Sequence, residues 1–79
     1  MIKVVFYAQL KDFFGDEIEL ELPANPLAAG IRSALAAKNS LAAEWLRVSR
    51  LASEDAFISE EEQITDGGRY YLLPPSSGG

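Results

Sequence analysis

IKVVFYAQ, from Ile2 to Gln9, is the stretch on which the fold turns. β-Branched and aromatic residues dominate it, so it reads as a strand. Ile2, Val4, Phe6 and Ala8 fall on one face; Val5 and Tyr7 fall on the other. Both faces are partly apolar, which is the pattern of a central strand. The far end of the chain repeats that pattern. In RYYLL, Arg69 to Leu73, Tyr70 and Leu72 share one face while Tyr71 and Leu73 share the other.

Between these two strands the reading is as follows. Leu10 to Gly15 is a connecting turn anchored by Phe13 and Phe14 and punctuated by Gly15. EIELEL, Glu17 to Leu22, alternates, with Ile18, Leu20 and Leu22 inward and three glutamates outward; it is the second strand of a hairpin. Pro23 stops it. Asn25 is placed to cap a helix whose first residue is Pro26, where the missing N–H costs nothing. That helix is expected over Pro26 to Lys38, with Leu27, Ile31, Ala34 and Leu35 as its apolar stripe. Gly30 inside it costs up to ~1 kcal/mol against alanine, which points to something packing close. After the break at Asn39-Ser40, Leu41 to Leu46 is expected to form a short helical turn with Trp45 under the core. Arg47 to Ala52 reads as a third strand and Ala56 to Ile58 as a short strand or bridge. Glu60-Glu61-Glu62 reads as a solvated loop, and Thr65 to Gly68 as a turn.

The order is strand, strand, helix, strand, short strand, strand. It implies an α+β, β-grasp (ubiquitin-like) fold, a mixed sheet with one main helix across one face. First and last strands then pair in parallel at the centre, a fold-level inference that periodicity alone does not prove. Residues 1–75 form the domain and 76–79 a flexible Gly-Gly tail.

Composition narrows the function. A chain of 79 residues is one domain and buries only about 60% of its unfolded surface. No apolar run approaches a membrane span and no signal segment opens the chain, so a cytoplasmic location is expected and a membrane partner is not. There is no cysteine and no histidine. Thiolate nucleophiles, cysteine-based zinc sites and serine–histidine triads are therefore excluded, and a self-sufficient enzyme is not expected. With 7 basic against 12 acidic residues the net charge is −5, which disfavours nucleic acid. The acidic surplus serves solubility or steers toward a basic partner.

The ending, LLPPSSGG from Leu72 to Gly79, carries the chemical signal. From Pro74 to Gly79 an extended chain reaches about 20 Å at ~3.3 Å per residue. Pro74 and Pro75 bias it toward an extended form, which lowers the entropy lost on entering a channel. Ser76 and Ser77 are small and suited to hydrogen bonding along channel walls; with no base nearby they are not nucleophiles. Gly78 gives the backbone access to a narrow opening and Gly79 presents the carboxylate. If first and last strands pair, Tyr7, Tyr71 and Leu73, joined by Phe57, form one apolar solvent-side face beside the tail, a partner surface. The competing reading makes that face a second small core, covered by Leu41 to Leu46 and Trp45.

IKVVFYAQLKDFFG at the start, TDGGRYYLLPP near the end and the closing Gly-Gly resemble the molybdopterin synthase small subunits, MoaD-type sulfur carriers. The resemblance spans nearly the whole chain and is weakest between Leu41 and Ser59. The sequence departs from the family pattern at Gly68-Arg69-Tyr70, at Leu72-Leu73 in place of an aromatic pair, and around Ser53-Glu54-Asp55. The resemblance implies that an adenylyltransferase like ubiquitin-activating enzymes consumes ATP to adenylate Gly79, with no cofactor bound to this chain. A persulfide donor then supplies sulfur, leaving a C-terminal thiocarboxylate. It also implies a molybdopterin synthase large subunit as partner, in a heterotetramer, where sulfur is delivered twice to form a dithiolene. Carriers for thiamine or cysteine synthesis, a ubiquitin-like modifier joined to lysines through Gly79, and a binding module with an idle tail remain open alternatives.

Other groupings of charge read as surface. Asp12, Asp16 and Glu17 dress a turn, and Glu60 to Glu62 lack the glycine-containing loop of a calcium site. Arg47, Arg50 and Arg69 form a basic strip or pair with Glu17, Glu19 and Glu21.

Overall fold

In the computed structural model, which describes residues 1–75, β1 (Ile2–Phe6) and β4 (Arg69–Leu73) run side by side and parallel. Val4 lies opposite Tyr70 and Phe6 opposite Leu72, while Val5 lies opposite Tyr71. β2 (Glu17–Leu20) pairs antiparallel with β1, and β3 (Arg50–Ala52) antiparallel with β4. Among the described residues the sheet therefore has four strands, in the order β2-β1-β4-β3. This is the mixed β-grasp sheet expected from the strand order, with its two doubly apolar strands at the centre.

Connections are more helical than their sequence suggests. β1 ends at Phe6, and Ala8–Leu10 forms a 3₁₀ turn leading into α1 (Lys11–Phe14). This segment, expected as a turn, buries Leu10 fully and stacks Phe14 on Phe6 with ring centroids 4.7 Å apart. Gly15, at φ 84°, ends it in a conformation that glycine adopts without steric cost. β2 is shorter than its alternating pattern: pairing stops at Leu20, and Leu22 packs half-buried beyond it.

The main helix, α2, is Ala28–Lys38 and starts two residues later than expected. Its first amides donate to the carbonyls of Glu62 (from Ala28, 2.8 Å) and Glu60 (from Ala29, 3.0 Å). Backbone from a distant loop thus does the capping that the sequence assigns to Asn25, which instead takes φ 54° outside the helix. Pro26 also stays outside, and its carbonyl accepts from Ile64 N–H at 2.9 Å. Leu27, bridged to Gln63, is 48% exposed and leaves the apolar stripe to Ala28, Ile31 and Leu35, with Ala34 half-buried. A methyl added at Gly30 would meet no atom within 4 Å, so close packing does not explain that glycine.

After a 3₁₀ turn at Ser40–Ala42, α3 (Ala43–Val48) takes up Arg47 and Val48, which the sequence assigns to a strand; β3 is correspondingly short. Ala42 and Leu46 belong to the same buried cluster as Val4, Phe6, Ile31, Leu35, Leu51 and Leu72, and Trp45 packs against that cluster. Leu41 to Leu46 therefore contributes no second core on the opposite side of the sheet. Ala56 to Ile58 reduces to an isolated bridge between Phe57 and Ala52. No helix among the described residues is long and apolar enough to cross a membrane.

Arg32 ties this arrangement together. Its guanidinium donates to both Glu60 carboxylate oxygens (3.1 and 3.0 Å), to the Ser49 carbonyl (2.7 Å) and to the Leu46 carbonyl. One half-buried side chain on α2 thereby holds the end of α3 and the loop that caps α2. Arg32→Ala removes the pair and leaves two carbonyls short of a donor. The expected loss is about 2–3 kcal/mol of unfolding free energy, with partial recovery in Arg32→Lys, measured by chemical denaturation.

Candidate functional site

Helices cover only one face of the sheet, so the alternate residues of the central strands look outward. Tyr7 continues β1 in extended conformation (φ −132°, ψ 155°), and its ring lies 6.4 Å from that of Tyr71, tilted by 32°. Tyr71 is opposite Val5 on one side and Ala52 on the other; Leu73 is opposite Arg50. Period-two geometry sends all of these to the same face. Phe57 arrives from a turn in which Ser53 N–H donates to the Ala56 carbonyl at 2.8 Å. Its bridge to Ala52 places it beside that patch.

Tyr7 is 41% and Phe57 50% exposed, while Tyr71 and Leu73 are half-buried. All four residues selected from the sequence thus lie on one apolar surface, which half-buried Val5 adjoins and under which Ala52 is buried. A patch of this kind, on a domain this small, is suited to contact with another protein. The chain leaves the patch directly, because β4 ends at Leu73 and continues through half-buried Pro74 and exposed Pro75. Ser76, Ser77, Gly78 and Gly79 lie outside the described residues.

The same face is polar at its other end. Glu17 pairs with Arg69 (3.3 Å) and approaches Lys3 (3.9 Å), as cross-strand neighbours of opposite charge do. Of the two readings of the three arginines, the basic strip does not form, and pairing with a β2 glutamate holds for Arg69 alone. Arg47 turns to Glu44 on α3, Arg69 to Glu17, and Arg50 lies over the Phe57 ring, 3.6 Å from its centroid.

Hydrogen bonding and charge from Arg47 hold the Glu44 carboxyl below its ordinary range, and the Met1 amine does the same to Asp66. Both pairs are exposed. The second sits at the strand ends opposite Pro74, beside a cleft lined by Met1, Leu22, Pro23, Asn25 and Pro26. Among the described residues no three potential metal ligands converge. Asp16 pairs with Lys11 at 3.7 Å in the turn that α1 closes, and Glu60 is occupied by Arg32.

Comparison with known proteins places this geometry. No family model matches the chain. Over 81 aligned positions that span all of both chains, it is 30% identical to the molybdopterin synthase sulfur carrier subunit of Escherichia coli K12. Among solved structures it resembles a Pyrococcus furiosus protein provisionally named molybdopterin converting factor subunit 1. That match has a TM-score of 0.83 and 21% identity, covering 95% of this chain and 97% of the other. It also resembles a chain in the complex of subunits 1 and 2 of the molybdopterin-converting factor from Helicobacter pylori. There the TM-score is 0.70 and the identity 24%, over 99% of this chain and 97% of that one.

If the outward rings serve contact and not cohesion, their removal costs little stability. Phe57→Ser is expected to change the unfolding free energy by less than about 1 kcal/mol. Phe6→Ala, in the buried cluster, is expected to cost about 3–5 kcal/mol. Urea titration of the two variants separates surface from core.

Proposed function

The chain belongs to the MoaD-type family of molybdopterin synthase sulfur carrier subunits, and on that premise we propose that it carries sulfur for molybdopterin synthesis on the carboxylate of Gly79. The observation that carries this reading is the full-length similarity to a curated sulfur carrier. The geometry supports it: the central strand β4 leads straight from an exposed apolar face into Pro74-Pro75.

The chemistry asks little of this chain. A carboxylate is a poor electrophile, so one of its oxygens must first attack the α-phosphate of ATP, releasing pyrophosphate and giving an acyl-adenylate. A donor persulfide displaces AMP, and a thiol cleaves the resulting acyl disulfide to leave the thiocarboxylate. The ATP is used by an activating enzyme, and no cofactor is needed on the carrier. The chain without cysteine or histidine supplies a terminal acyl group and a surface; the partners supply acid–base groups.

Tyr7, Phe57, Tyr71 and Leu73 form the docking surface. Its principal partner is a synthase large subunit, as in the two-subunit complex from Helicobacter pylori, here in a heterotetramer. The activating enzyme docks on the same surface, so the two enzymes take turns. Pro74 and Pro75 keep the tail extended, Ser76 and Ser77 hydrogen-bond to the channel that receives it, and Gly78 lets it pass. The carrier works in the cytoplasm, where ATP and reduced donor thiols are at hand.

The test is intact mass and fragmentation after incubation with ATP, the activating enzyme and a persulfide donor. One oxygen is expected to be exchanged for sulfur, mapped to Gly79 and distinguished from oxidation of Met1. Deleting Gly78-Gly79 abolishes the exchange. An unmodified Gly79 under these conditions, with Gly79–lysine adducts in cells, would make the chain a modifier instead.

A further inference from the structure

We infer that Arg50 is a specificity residue of the docking face, held by Phe57 so that it receives a carboxylate side chain of the partner protein. This rests on the reading of Tyr7, Phe57, Tyr71 and Leu73 as that face.

Arg50 differs from the other cations. Lys3 and Arg69 have Glu17, Lys11 has Asp16, Arg32 has Glu60, Arg47 has Glu44, and the Met1 amine has Asp66. Lys38 lies in the last turn of α2, where the helix dipole favours a cation. Among the described residues Arg50 alone stands at the apolar end of the outer face with neither a carboxylate within ion-pair distance nor a hydrogen bond to its guanidinium. It is exposed and opposite Leu73, one residue before the prolines.

Its position is nonetheless held. The guanidinium stacks 3.6 Å over the Phe57 centroid. Stacking uses the face of the group and leaves its in-plane N–H donors available. Such a planar fork matches a carboxylate in bidentate fashion, and a partner that finds it pre-oriented loses less entropy on binding. The surroundings sharpen the choice. In a chain of net charge −5, an acidic group on a partner is repelled over most of the surface and attracted here. One such contact therefore fixes docking register. Because Arg50 neighbours Leu73, that register also sets where Pro74 begins its path into the partner.

The experiment measures binding of the full chain to the molybdopterin synthase large subunit of the same organism, by calorimetry at low and high salt. Arg50→Gln is expected to weaken binding roughly 10-fold or more and to flatten its salt dependence, with an unchanged thermal midpoint. Arg50→Lys recovers only part, because an ammonium neither stacks as a plane nor presents a fork. Arg50→Glu is rescued by reversing an acidic residue on the large subunit. Binding of Arg50→Gln within about twofold of the parent overturns the inference. Leu73→Asp serves as the companion variant. If it binds normally, the docking face itself is wrong; if it fails to bind while Arg50→Gln is silent, only the role of Arg50 falls. Intact binding of Arg50→Gln with slowed adenylation of Gly79 would assign the guanidinium to the nucleotide phosphate and overturn the carboxylate partner.

Discussion

Parallel pairing of β1 with β4 is the constraint on which the rest of this molecule depends. Parallel neighbours cannot be joined by a tight turn; they need a crossover. Here the crossover is almost the whole chain, from Tyr7 to Gly68, and everything else is placed by it. The pairing puts Val4, Phe6, Tyr70 and Leu72 together under α2 and α3. Side chains alternate across a strand, so it also sends Val5, Tyr7, Tyr71 and Leu73 to the other face. The apolar outer surface and the buried core are two consequences of one register.

One segment links that surface to the stability of the helical side. Residues 53–64 carry Phe57 to the outer face, then cross the sheet edge and cap α2 through the carbonyls of Glu60 and Glu62. Arg32 fastens the same segment to the end of α3. In so small a core, where few apolar side chains are available, such polar ties take a larger share of cohesion. They also mean that the ring against which Arg50 stacks is anchored from the far side of the sheet.

The division of labour follows from composition. A chain without cysteine or histidine has few ways to move protons or form covalent intermediates near neutral pH. The function proposed above asks of it only a terminal carboxylate and the outer face of the sheet. That face lies beside the end of β4, where the chain continues into Pro74 and Pro75. In that proposed function, acid–base groups come from the partners.

Sequence alone determined the strands whose apolar patterns repeat on both faces, the inward set on β2 and the turn at Thr65 to Gly68. These follow from period-two alternation and local backbone preference, which neighbouring residues settle among themselves. The resemblance of the chain ends added the family. Only the tertiary structure decided what depends on distant partners. Asn25-Pro26 has the form of a helix start, yet the amides of Ala28 and Ala29 are met by carbonyls more than thirty positions away, so the helix begins later and Leu27 turns outward. Leu41 to Leu46 is apolar enough to cover either face, and it is the continuous cluster around Leu46 that draws it to the helical side. The three arginines share a charge but part company because each finds a different neighbour: Glu44, Phe57 and Glu17. Pairings of this kind arise from the assembled sheet, and no local pattern encodes them.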